Sequence, residues 1–101
     1  MNDLIGKVLT WATARQIIQH SNSQTQLLKT VSELGELADA ILKKDRAGIM
    51  DGIGDVMVTL IIVAELERLG VDECLAAAYN AIKDRRGRLT AEGVFVKEEA
   101  A

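Results

Sequence analysis

The residues best equipped for chemistry are four carboxylates in two short words. Glu33 and Glu36 stand in Glu33-Leu34-Gly35-Glu36-Leu37-Ala38-Asp39, and Asp51 and Asp55 stand in Asp51-Gly52-Ile53-Gly54-Asp55, one short turn later. Residues three or four apart on a helix are surface neighbours, so each pair aims its side chains the same way. Two such helices packed antiparallel gather four carboxylates in one region. Clustered negative charges repel and raise one another's pKa unless a cation sits among them, and a hard, oxygen-seeking Mg²⁺ suits them best. The expectation is a metal site made of Glu33, Glu36, Asp51 and Asp55.

Positioning these side chains takes helices, and the composition favours them. The chain has no proline, and 49% of it is apolar with a single Trp, Tyr and Phe, so the core is Leu, Ile, Val, Ala and Met. The apolar spacing predicts an all-α protomer of four helices. The first spans residues 3–19, carrying Leu4, Ile5, Val8, Leu9, Ala12 and Ile18. His20-Ser21-Asn22-Ser23 then offers loop residues and N-caps. The second helix spans residues 24–43, with Leu27, Leu28, Val31, Leu34, Ala38, Ile41 and Leu42 as a stripe facing the core, and Gly35 within it admits another backbone. Opposite the stripe lie Lys29, Glu33 and Glu36, with Gln26 at its edge. Taken alone, that is a charged face pointing at water.

The third helix, residues 47–69, changes the reading. From Ile53 to Ala64 it is apolar on nearly every side, which in a small protein means burial against several neighbours, another subunit among them. Asp55 opens this run, and a buried aspartate needs a partner or a metal. Gly70 is expected to close the helix as its C′ residue. The fourth helix begins at Val71-Asp72-Glu73 with Asp72 as N-cap, takes Leu75, Ala78, Tyr79 and Ile82 as its core face, and runs to Arg86. Asn80, Lys83 and Arg86 recur every three residues along it, a pattern that suits phosphate oxygens or simply complements the helix dipole. The tail, residues 89–101, carries the β-prone Gly93-Val94-Phe95-Val96; it orders against a neighbour or stays loose.

Length and charge bound the function. A chain of 101 residues is one domain, residues 1–101, and buries only about 60–65% of its unfolded surface, so a dimer or tetramer is expected. A net charge of -3 gives no reason to expect a nucleic-acid polymer as partner, although a metal can mediate contact with free nucleotides. Cys74, the single cysteine, reads as a small buried apolar residue. The N-terminus Met1-Asn2-Asp3 lacks the features of a secretory signal, and the most apolar run, residues 56–64, falls short of the roughly 20 needed to span a bilayer. A soluble cytoplasmic protein without a membrane partner is expected. Trp11 is a candidate to stack on a nucleobase or to anchor a core, and His20 a candidate ligand contact at a helix end.

The ordered pair Glu33-Leu34-Gly35-Glu36-Leu37-Ala38-Asp39-Ala40 and Ile53-Gly54-Asp55-Val56, joined by a short charged turn and followed by Asn80, Lys83 and Arg86, resembles the MazG-like all-α nucleoside triphosphate pyrophosphohydrolases. The resemblance covers residues 27–88. It implies hydrolysis of a (deoxy)nucleoside triphosphate to the monophosphate and pyrophosphate, often to clear unwanted nucleotides. By the same resemblance Glu33, Glu36 and Asp55 are catalytic and metal-binding, with Mg²⁺ as cofactor. Asn80, Lys83 and Arg86 grip the phosphates, Lys29 also reaches them, and Trp11, His20 and Tyr79 are candidates to read the base. Where the family pattern has its third carboxylate this chain has Gly52, so Asp51 must deputise. A non-catalytic helical oligomer that binds nucleotide or protein is the competing class. A phosphoribosyl-ATP pyrophosphohydrolase shares the carboxylate logic but matches these words less well.

Overall fold

The computed structural model describes residues 2–99. Five helices and one small hairpin follow in order: α1 (Asn2–Ala14), α2 (Ile17–His20), α3 (Ser23–Leu42), α4 (Arg46–Leu66), α5 (Val71–Ile82), β1 (Gly87–Leu89) and β2 (Phe95–Lys97). The all-α expectation therefore gains a hairpin, and its first helix divides in two. Gln16, with φ 63°, breaks the expected 3–19 helix between α1 and α2. No glycine or proline marks that break, and the apolar spacing runs through it.

Caps set the ends of the two long helices. Asn22 accepts a hydrogen bond from the Thr25 backbone N–H at 2.8 Å and starts α3. Asp45 does the same for α4, accepting from Gly48 N–H at 3.1 Å. Between them Lys44 turns the chain with φ 55°, which places α3 and α4 antiparallel. At the far end Arg68, at φ 61°, reverses the chain after α4, not Gly70. Gly70 is the N-cap of α5 instead, its N–H donating to Glu73 Oε1 at 2.8 Å, so Asp72 lies inside the first turn. α5 ends four residues early, and Arg86 is off the helix.

The tail is ordered as far as it is described. Gly87 pairs with Lys97, Arg88 with Val96 and Leu89 with Phe95 in an antiparallel ladder, turned by Gly93 at φ 87°. The last two residues of the tail lie outside the described residues.

Packing between α3 and α4 holds the protomer together, with α1 and α5 laid against α4. The expected inward stripe of α3 points the other way. Leu27, Leu28, Val31, Leu34, Ile41 and Leu42 are exposed, while Thr30, Glu33 and Ala40 are buried against α4. Thr30 Oγ1 donates to Thr59 Oγ1 at 2.9 Å, and Thr59 Oγ1 donates to the Val56 carbonyl at 2.8 Å, so the buried hydroxyls satisfy one another. Gly52 makes this approach possible. A Cβ there would stand 3.0 Å from Leu37 Cβ and 3.1 Å from its Cα, so only glycine lets the α3 backbone come so near. Gly35, the expected close-approach position, faces open space.

The buried apolar set is small: Ala12, Ala40, Ile61, Ile62 and Ala64. Leu75, Tyr79 and Ile82, expected as the core face of α5, are half or more exposed, and Cys74 is exposed too. A radius of gyration of 16.4 Å exceeds the roughly 13 Å of a compact domain of this length. α4 is long and apolar enough to cross a membrane by length and composition, with a mean hydropathy of 1.8 over its most apolar window. Its contacts with α1, α3 and α5 give that apolarity another use.

Candidate active site

The turn between α3 and α4 sets the mouth of a cleft of about 330 Å³. Glu36 reaches it from α3, and Asp51 and Asp55 reach it from α4 one turn apart. Gly52 lies between the two aspartates on the same wall. The fold thus brings together three of the four carboxylates expected to meet. It adds three residues that sequence reasoning did not single out: Asp39 and Lys43 near the end of α3, and Asp45, the α4 cap. Asp39 sits three residues beyond Glu36, and the same periodicity would have found it. Lys43 Nζ stands 3.0 Å from Asp39 Oδ2.

Glu33, the fourth carboxylate, is 8% exposed and lies in the α3–α4 interface. Lys29 Nζ approaches its Oε1 at 3.3 Å across one helical turn. Its Oε2 is buried and has no hydrogen-bond partner among the described residues. A buried carboxylate oxygen left bare costs free energy unless a ligand or a proton satisfies it. Hydrogen bonding with Glu33, then repulsion from the Glu33 charge, holds the Glu36 carboxyl above its ordinary 4.5; desolvation and Asp55 push the same way, and Lys29 opposes them.

Asp55 is exposed, so the expected core position is corrected. It stands where the cleft meets a second, apolar hollow of about 380 Å³ between α1 and α4, lined by Leu4, Lys7, Val8, Trp11 and Val58 as well as Asp55. Trp11 is 46% exposed there, with the Arg15 guanidinium 5.8 Å from the centre of its ring. One carboxylate thus joins a charged recess to an apolar one.

The expected phosphate grip does not reach the cleft within one protomer. Asn80 and Lys83 are exposed at the end of α5, and neither lines the cleft. Arg86 belongs to a separate hollow beside the hairpin, with Arg85, Arg88, Phe95 and Lys97. The periodic alignment of Asn80, Lys83 and Arg86 fails because the helix stops at Ile82 with Lys83 as its C-cap. His20 ends α2, exposed, and Tyr79 is exposed on α5.

An all-oxygen donor set with a bare buried carboxylate oxygen fits a hard divalent cation. Among the described residues no three carboxylate, histidine or cysteine side chains converge closely enough to hold an ion by themselves. Waters and substrate oxygens would complete its shell.

Comparisons with known proteins bear on the family and the fold. A protein of Haemophilus phage HP1, described as an uncharacterized 18.2 kDa protein in the rep-hol intergenic region, is 34% identical over 65 residues, covering 64% of this chain; the chain spans only 40% of that relative's length. The fold superposes with a TM-score of 0.75 on the cyanophage S-2L MazG-like pyrophosphohydrolase, a structure bound to dGDP and three catalytic Mn²⁺ ions per active site. Identity there is 19%, over 99% of this chain and 94% of the other. Residues 21–90 match the MazG nucleotide pyrophosphohydrolase domain, and the chain belongs to that family.

Proposed function

We propose that this chain hydrolyses (deoxy)nucleoside triphosphates to the monophosphate and pyrophosphate in a Mg²⁺-dependent reaction that clears unwanted nucleotides in the cytoplasm. The observation that carries the reading is the cleft of Glu36, Asp51 and Asp55 backed by Glu33, whose Oε2 is buried and bare. Glu36, Asp51 and Asp55 would hold the cation. When bound, the cation neutralises charge on the phosphate oxygens. Glu33 is the base: its free oxygen orients a water and accepts its proton while the water oxygen bonds to phosphorus and the bridging P–O bond breaks. Lys29 tempers the accumulated negative charge beside it.

The apolar stripe of α3 and the thin core support a dimer or tetramer. Asn80, Lys83 and Arg86, remote from the cleft in one protomer, would then grip phosphates from a second copy, and Trp11 would stack on the base. The Mn²⁺ and dGDP of the cyanophage structure are consistent with a divalent metal and a nucleotide here.

The competing reading is a nucleotide-binding oligomer without turnover, and Gly52 favours it, since no carboxylate stands at that position. A panel of nucleoside triphosphates with Mg²⁺, assayed for pyrophosphate against inorganic phosphate, separates the two. Pyrophosphate release that vanishes in Glu36→Gln, with the helical circular-dichroism signal unchanged, is the expected result. Turnover retained by Glu36→Gln would overturn the assignment.

A further inference from the structure

On one face of α1, Leu4, Lys7, Val8 and Trp11 follow at intervals of three, one and three residues, and they meet Asp55 and Val58 of α4 across the second hollow. The lining is apolar except for two side chains. Asp55 also lines the carboxylate cleft, so the two hollows meet at this side chain and the apolar one adjoins the site proposed for the phosphates, within reach of a nucleotide's base. That leaves Lys7 as the remaining polar group that can read the base edge. An ammonium carries three donors and no acceptor, so it matches ring edges that present acceptors and leaves amino groups unmatched.

Resting on the nucleotide reading above, we infer that Lys7 is a specificity-determining residue that selects bases with an oxo group at the purine 6 or pyrimidine 4 position over those with an amino group there. Guanine offers O6 and N7 side by side, where adenine sets a donor amino group beside N7. Uracil and thymine offer O4, where cytosine carries an amino group. Trp11 contributes stacking, which every base satisfies, so it supplies affinity without choice.

Trp11 is the only tryptophan of the chain and lines this hollow, so its emission reports on ligands that bind against it. The intact protein is titrated with dGMP, dAMP, dUMP and dCMP, and affinities are taken from the midpoints of the emission change. The expected result is tighter binding of dGMP over dAMP and of dUMP over dCMP, each by about tenfold. In Lys7→Met, which keeps the apolar stem, both ratios should fall towards one while the emission change persists. Equal affinities for oxo and amino bases in the parent, or preferences unchanged in Lys7→Met, would overturn the inference. So would an absence of any emission change, even in a protein that releases pyrophosphate. A base preference lost in Lys7→Met, in a protein without pyrophosphate release, would uphold Lys7 while refuting the hydrolase.

Discussion

Gly52 lies so close to Leu37 that a methyl group added to it would press within 3.1 Å of the Leu37 Cα. This contact sets the separation of the helices that bear the carboxylates. A side chain at this position would have to push Leu37 aside to fit between α3 and α4.

Gly52→Ala should therefore be destabilising although alanine is the better helix former. Overpacking of this kind costs about 1–3 kcal/mol, against the roughly 1 kcal/mol of helix propensity that alanine regains. Urea unfolding measures the balance. An unchanged or raised midpoint would show that the helices separate freely, and Gly52→Glu would then be admissible as a fourth carboxylate.

The Glu36 carboxyl makes stability depend on pH in a definite direction. Its folded pKa lies above the ordinary 4.5, so the stability it contributes is fully present below that value and is lost as pH rises through the raised one. Without metal, Tm should fall over that interval, and Glu36→Gln should flatten the fall. Because a cation binds the ionised form, added Mg²⁺ or Mn²⁺ should raise Tm more at neutral pH than in acid. Thermal melts with EDTA or metal across this range check both signs.

Thr30 and Thr59 form a buried hydroxyl pair across the α3–α4 interface. Thr59→Val removes one of the two acceptors within reach of the Thr30 hydroxyl, leaving the Gln26 carbonyl at 3.0 Å, and should cost about 1 kcal/mol or less. Replacing both residues by valine should cost less than the sum of the single changes, since no hydroxyl is then left facing an apolar partner. A double-mutant cycle by denaturant unfolding gives the coupling directly.

The outward stripe of α3 predicts self-association. Leu34 is 48% exposed in the protomer, and Leu27 and Val31 are more so. Leu34→Glu buries a charge in any interface built on that stripe, weakening association by about 2 kcal/mol or more, roughly thirtyfold. Light scattering should show an oligomer for the parent and a shift towards monomer for the variant. A monomeric parent at micromolar concentration would reject the stripe as an interface.

Much of the secondary structure is legible in the sequence, for local reasons. Asn22, in the polar cluster before α3, announces the start of that helix as a cap, whereas the Asp45 cap of α4 goes unread within its charged turn; the absence of proline lets both helices run about 20 residues. That Glu33 and Glu36 share a helix face, and Asp51 and Asp55 likewise, follows from helix geometry alone, and the short connection between the two helices makes an antiparallel pair the expectation. The left-handed residues Gln16, Lys44 and Arg68 are not legible, because none is a glycine and nothing local demands that conformation.

Tertiary structure decided which faces meet. Helical periodicity divides α3 into an apolar and a polar face but does not say what each one packs against. The Gly52 notch and the Thr30–Thr59 bond draw the polar face onto α4, burying Glu33 and turning Leu27, Val31 and Leu34 outwards. The same rotation leaves Asp55 exposed at the junction of two hollows. Sequence by itself determined which carboxylates are present and how they are spaced; tertiary packing decided that Glu33 is the buried one, because burial depends on the opposing surface, and that surface lies on another helix.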